Sequence, residues 1–203
     1  LEEEGILENT LIIFSSDNGP VLNDGYYDDS DVKNGSHTPW GPYRGGKYSL
    51  FEAGTRVPFF TYWKGKIKPG VSDTMVSQLD LLSSLAQLVG SEVRTEDSLP
   101  LLELLMGQSN YGRKEMVIEA TSRTAFKRGD WVMIPPYEGF AVNDKVKIEL
   151  GNDPEFQLYN LSNDVGQQNN LALQNPKKLQ EMLLAFEAIR GKDYRKTEKL
   201  ELK

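Results

Sequence analysis

The 203 residues contain no cysteine and a single histidine. Without cysteine, disulfides, thiolate zinc sites and a cysteine nucleophile are excluded within these residues. No apolar run approaches the ~20 residues that span a bilayer, so no membrane partner is expected. The formal net charge of −7 excludes nucleic-acid binding by bulk electrostatics. Basic residues are missing altogether before Lys33, where Glu2, Glu3, Glu4, Glu8, Asp17, Asp24, Asp28, Asp29 and Asp31 supply nine acids. From Lys33 to Lys68 the balance reverses, and Lys33, Arg44, Lys47, Arg56, Lys64, Lys66 and Lys68 face only Glu52. Such a split describes either solvated faces that pair internally or a cation site beside an anion site. The opening Leu1-Glu2-Glu3-Glu4 has neither a basic n-region nor an apolar h-region, so no signal peptide is expected here. A start of this kind reads as a fragment or a processed product.

What is present is ordinary globular composition, with 38% hydrophobic residues, 18 Gly and 10 Pro, enough for one or two domains. Leu1–Gly5 reads as the end of a helix stopped by Gly5. The run Thr10–Ser15 predicts a strand buried on both faces, as in a parallel sheet. Residues 19–56, rich in Gly, Pro, Asn, Asp and Tyr, read as a long loop of the kind that is functional or disordered. Val57–Trp63 reads as a second strand. Asp80 is expected to N-cap a helix over Leu81–Val89, which Gly90 stops. Residues 91–110 read as a linker carrying an apolar patch, Leu99–Met106. Beyond it, Glu115–Ala120, Thr124–Lys127, Trp131–Ile134 and Glu155–Tyr159 predict short antiparallel strands. Pro176–Arg190 predicts an amphipathic helix with Asn175 as N-cap. The expected fold class is α/β: an α/β part over residues 1–109, then a small α+β subdomain over 110–203 with an antiparallel sheet and a C-terminal helix.

Two short segments could carry chemistry. Asp17-Asn18 follows an apolar strand, the place where ligands sit in open α/β sheets, and offers two hard oxygens suited to Ca²⁺ or Mg²⁺. Asp-Asn-Gly is equally good turn chemistry. Arg44-Gly45-Gly46-Lys47 pairs glycines, which admit a ligand close to the backbone, with two cations that could hold an oxyanion. It lacks the spacing of a phosphate-binding P-loop. His37 lies in the same loop. Tyr26, Tyr27, Trp40 and Tyr43 give that loop aromatic faces suited to sugar rings or to packing. Glu52 and Arg56, four apart, read as a structural ion pair. Asn34 and Asn160 open Asn-x-Ser sequons, about the number expected by chance.

In order, these pieces resemble the sulfatase family of the alkaline-phosphatase-like superfamily. Leu11–Gly19 looks like its apolar strand ending in a metal-binding Asp-Asn-Gly. Arg44-Gly45-Gly46-Lys47 with Phe51–Pro58 looks like its R-G-G-K-x-x-x-x-E-G-G-x-R-V-P block. Trp63–Ile67 resembles W-x-G-x-I, and Val76–Leu82 resembles V-S-x-x-D-L-L. Leu158-Tyr159-Asn160-Leu161, Asp164 and Asn170-Leu171-Ala172 resemble the C-terminal L-Y-D-L-x-x-D-P-x-E-x-x-N-L-A. Ala53 stands for a glycine, Ser83 for a helix-opening proline and Val165 for the proline after Asp164. The C/S-x-P/A-x-R motif, whose first residue becomes the formylglycine nucleophile, is not among these residues.

The resemblance implies the C-terminal portion of an enzyme hydrolysing sulfate esters of small molecules or carbohydrates. In that family a hydrated formylglycine attacks sulfur and displaces the alcohol in line. Asp17 and Asn18 would be two ligands of a Ca²⁺ (or Mg²⁺) ion. Lys47 would be the catalytic cation on the sulfate, with His37 and Arg44 beside it on the substrate; Glu52 and Arg56 would be scaffold. Without the formylglycine these residues alone would be inactive, and an uncovered strand at Leu11–Phe14 would favour self-association. A phosphonate or phosphodiester hydrolase of the same superfamily and a non-catalytic sulfated-glycan-binding module are the alternatives. Periplasmic, secreted or lysosomal localisation follows from family habit.

Overall fold

The computed structural model describes residues 1–26, 28–93 and 95–193. Its contacts form two units, Leu1–Ser15 with Pro58–Lys114, and Ser16–Val57 with Glu115 onward. A single cut at 109/110 misses this arrangement. The loop-like segment Ser16–Val57 belongs with the later strands, because its Leu50 and Phe51 are buried in their core.

In the first unit, β1 (Ile12–Phe14) pairs antiparallel with β2 (Phe60–Tyr62), in register Ile12–Tyr62, Ile13–Thr61 and Phe14–Phe60. This corrects the expected parallel pairing. An unalternating apolar run reports how many faces are covered, not the direction of the neighbour. Burial is also less than expected: Ile12 and Ile13 are half-buried, and the stacked rings of Phe14 and Phe60, 4.9 Å apart, are about half exposed. Leu1–Gly5 forms turns rather than a helix end, followed by a 3₁₀ turn, Leu7–Asn9. Trp63 is buried, and its indole N–H donates to the Glu8 carbonyl at 2.8 Å.

Helix α2 (Asp80–Leu88) matches the apolar spacing and ends before Gly90, at φ +72°. Asp80 does not act as the expected cap. Fully buried, its carboxylate accepts the N–H groups of Ser77 and Leu99 at 2.9 Å each and the Arg113 guanidinium at 2.7 and 2.8 Å. One carboxylate thus ties the entry of α2 to chain 19 and 33 residues away. Ser83 needs no proline-like entry, because its N–H and hydroxyl are both bonded to Ser98. The apolar patch of the expected linker forms a short helix, α3 (Leu102–Leu105).

In the second unit, α1 (Ser30–Lys33) interrupts the long loop. A four-stranded antiparallel sheet follows, β3 (Glu115–Ala120), β4 (Arg123–Arg128), β5 (Trp131–Ile134) and β8 (Gln157–Asn160), in that spatial order. Two-residue turns, Thr121-Ser122 and Gly129-Asp130, join its hairpins; Thr121 and Ser122 both adopt the positive φ that such turns need. A small ribbon pairs β6 (Val142–Asn143) with β7 (Ile148–Glu149). Alternation along the strands gives the sheet two different faces. Phe126, Met133 and Leu158 stand side by side on one, against Met182 and Phe186 of α4 (Pro176–Arg190). Ala125, Val132 and Tyr159 line the other, packed with Leu50 and Phe51. Lys127, two residues from Ala125, stands on that second face, and this parity positions the site.

Candidate active site

The Asp17-Asn18-Gly19 turn lies in the second unit. Asp17 is exposed and Asn18 half-buried. Asp17 Oδ1 accepts the Asn18 N–H at 3.0 Å, and Asn18 Nδ2 donates to the Gly19 carbonyl at 2.9 Å. That second bond holds the Asn18 amide by its nitrogen. The turn is pinned by glycine. A Cβ on Gly19 would sit 1.6 Å from the Ala53 carbonyl oxygen, and the Gly19 N–H donates to Gly54 O at 2.8 Å.

The same contact line continues into the Arg44–Lys47 loop. The Lys47 N–H donates to the Pro20 carbonyl at 2.9 Å, and a Cβ on Gly46 would meet that oxygen at 2.6 Å. The Ala53 N–H donates back to Arg44 O at 3.0 Å. Two motifs far apart in the chain are therefore laced together by their backbones, each glycine admitting the approach that a side chain would block. Lys47 extends its ammonium to Asp24 Oδ2 at 2.6 Å, and the Tyr48 hydroxyl donates to the same carboxylate at 2.8 and 3.0 Å. The bond to Lys47, then that to Tyr48, holds Asp24 below its ordinary value. The bond to Asp24 in turn raises Lys47.

Arg44 makes a different set of contacts. Its guanidinium forms a two-point pair with Glu149, Nε at 2.9 Å and Nη2 at 2.5 Å, and Nη1 donates to the Gln167 carbonyl at 2.8 Å. It also stacks over Phe51, 4.0 Å from the ring centre. The carboxylate contact raises Arg44 and lowers Glu149. Three of its five N–H donors are thus used inside the protein. His37 is exposed, and among the described residues its imidazole has no partner. Tyr26 and Trp40 are exposed, at 77% and 39%. Tyr43 stacks under Arg56 at 4.7 Å. Tyr27 lies outside the described residues.

Glu52 is buried and held by Lys127, both oxygens at 2.8 Å, and by Arg56 at 3.3 Å. Its N–H donates to Gln167 Oε1 at 2.8 Å. Gln167 is fully buried at φ +50°, and its Nε2 has no partner among the described residues. Spacing alone did not single out Asp24, Tyr48, Lys127, Glu149 or Gln167. Asp24 was visible only as one acid among nine; the others pair with residues tens of positions away.

Asp17 and Asn18 offer oxygens that a hard cation accepts. Ca²⁺ takes about six to eight oxygens, and no cluster of three acidic, histidine or cysteine groups exists among the described residues. The donors fit part of such a site, and further ligands would have to come from elsewhere.

A family model described as Sulfatase matches residues 1–91. The chain is similar to the N-acetylgalactosamine-6-O-sulfatase of Bacteroides thetaiotaomicron, 40% identical over 194 residues, covering 94% of this chain and 38% of that protein. Among solved structures it is similar to one from work on the metabolism of multiple glycosaminoglycans by that organism. There it is 39% identical with a TM-score of 0.87, covering 93% of this chain and 40% of the other. It is also similar to the PsFucS1 sulfatase from Pseudoalteromonas sp., with a TM-score of 0.72 over 97% of this chain and 40% of that one; at 24% identity this shows the fold alone. The chain spans about two-fifths of the length of these relatives.

Proposed function

Because the chain belongs to the sulfatase family, we propose that it is the C-terminal part of an enzyme that hydrolyses sulfate esters, with a sulfated carbohydrate as substrate. The observation that supports this reading is the backbone lacing of the Asp17-Asn18 turn to the Lys47 loop, which brings the two proposed cation ligands and the proposed catalytic lysine onto one piece of structure. The name of the Bacteroides relative specifies a sulfated amino sugar, and the exposed rings of Tyr26 and Trp40 suit a sugar face.

Asp17 and Asn18 would hold Ca²⁺ together with ligands from the rest of the enzyme. Bound there, the ion would supply Lewis-acid polarisation of the sulfate and neutralise its charge. Lys47 supplies a point charge to the ester oxygens and offsets the charge that develops on the leaving alcohol, an interaction that strengthens along the reaction. Arg44 is anchored to Glu149 and Gln167 through three of its five N–H groups, which leaves two for a contact with the substrate. His37 is the candidate for a contact with the leaving group. The nucleophile would be a formylglycine from the remainder of the enzyme, so residues 1–203 alone are inactive. The whole enzyme would be periplasmic, secreted or lysosomal.

The test uses the full-length enzyme with its upstream part, assayed with 4-nitrophenyl sulfate and with bis(4-nitrophenyl) phosphate. Peptide mapping would look for a formylglycine. Sulfate turnover that Lys47→Ala lowers about 10²–10³-fold supports the reading. Preferential turnover of the diester would move the assignment to a phosphodiesterase. Binding of sulfated glycan without turnover of either ester would leave a binding module.

A further inference from the structure

We propose that Asp24 is a specificity-determining residue of the anion subsite at Lys47, and that its carboxylate tunes the subsite to a monoanionic ester in preference to a dianionic one. The inference rests on the assignment of Lys47 to the ester group.

Asp24 has no role in the chemistry above, yet the structure spends strained backbone to place it. Gly25 takes its φ of +81° at no steric cost, whereas Asn23, just before Asp24, has φ of +53°, and Tyr48, which grips the same carboxylate, has φ of +77°. A bulky non-glycine residue there is a true outlier, and such strain persists only where surrounding contacts over-determine it. Here the contacts are a brace and a clamp. The Asn23 N–H donates to Ser30 Oγ at 2.9 Å, whose hydroxyl donates to Asn23 Oδ1 at 3.2 Å. Tyr48 and Lys47 close on Asp24 from the other side. The Lys47 and Asp24 side chains remain 30% and 25% exposed, so an incoming anion can reach the pair.

An ammonium has three donors and one position of charge. Asp24 takes one donor, and the ammonium also lies over the Tyr48 ring, 5.2 Å from its centre, with no second hydrogen bond to an oxygen among the described residues. The pair therefore offers hydrogen bonds to an ester while its net charge is close to zero. A sulfate monoester carries one negative charge and a phosphate monoester two at pH 8. At a separation of about 6 Å and an effective dielectric constant near 40, the second charge beside Asp24 weakens binding about tenfold. Lys47 without Asp24 would favour the dianion instead.

The experiment measures, by calorimetry at pH 8, binding of methyl sulfate and of methyl phosphate to the full-length enzyme and its Asp24→Asn and Asp24→Glu variants. The expected result is that Asp24→Asn tightens methyl phosphate relative to methyl sulfate by about tenfold, while Asp24→Glu keeps the wild-type ratio. A carboxylate that only supports the loop would shift both anions together and leave the ratio unchanged, which overturns the proposal. So would an equal shift of the ratio in both variants, or binding of neither anion. Turnover of 4-nitrophenyl sulfate is scored separately: its absence from the wild type removes the sulfatase reading, while the ratio still judges Asp24.

Discussion

Replacement of Lys127 by methionine tests whether the site segment is held to the sheet by charge. Glu52 is 2% exposed at its side chain and Lys127 14%, with both carboxylate oxygens 2.8 Å from the ammonium. Lys127→Met leaves a buried carboxylate whose remaining cation is Arg56, at 3.3 Å and 47% exposed. Breaking a buried pair from one side costs about 3–5 kcal/mol. Because Arg56 remains, the expectation is the lower end, about 3 kcal/mol. Glu52→Gln combined with Lys127→Met removes both charges and should cost only about 1–2 kcal/mol, since an uncharged pair needs no compensation. The double variant is thus expected to be more stable than Lys127→Met alone, although it carries one more change. Global melting is a poor readout for a chain with two units. Hydrogen exchange at β4 and β5 amides reports the opening free energy of the second unit directly. A loss below about 1 kcal/mol for Lys127→Met, or a double variant as weak as the sum of its single changes, would refute the reasoning.

Gly19→Ala places a methyl group where the Ala53 carbonyl stands, 1.6 Å away, so the turn must move; Ca²⁺ affinity of the full-length enzyme is expected to fall at least about tenfold by calorimetry, and unchanged affinity would remove Asp17 and Asn18 as ligands. Glu149→Gln tests the Arg44 pair through pH. Glu149 is lowered in the folded protein from an ordinary 4.5, so its contribution is present above that value and lost as pH falls through the lowered one. The variant should be less stable than wild type by about 1 kcal/mol at pH 7, discounted for the 45% exposure of Glu149, and in urea titrations the gap should close as pH falls below 4.5 and through the lowered value. A gap that widens in acid would contradict the assignment.

The local features were legible because their causes are local. Helix α4 begins at Pro176 and the edges of β3 and β5 fall as the apolar pattern and turn residues predict. Asp17-Asn18 and Arg44–Lys47 stood out because strand ends and paired glycines are readable signals. Asp80 was misjudged for the same reason. An acid at a helix start is ordinarily a cap, and its bond to Arg113 comes from 33 residues away.

Sequence alone determined the main strands and helices, among them β3, β5, α2 and α4, and that an anion site and a hard-cation site were candidates, but not the turns at Leu1–Gly5, the short helices α1 and α3 or the β6–β7 ribbon. Periodicity, turn chemistry and charge clustering act over a few residues. Only the tertiary structure decided that β1 runs antiparallel to β2 and that Ser16–Val57 rests on the later sheet. It also decided that Arg44 is spent on Glu149, 105 residues away, and that Glu52 is neutralised by Lys127, 75 residues away. Those pairings depend on strand register, which sets the face on which Lys127 stands, and no spacing along the chain encodes a register between distant strands. The capture of Lys47 by Asp24 belongs to the same class, since it takes a strained loop and a second strained residue, Tyr48, to bring one acid of nine onto that ammonium.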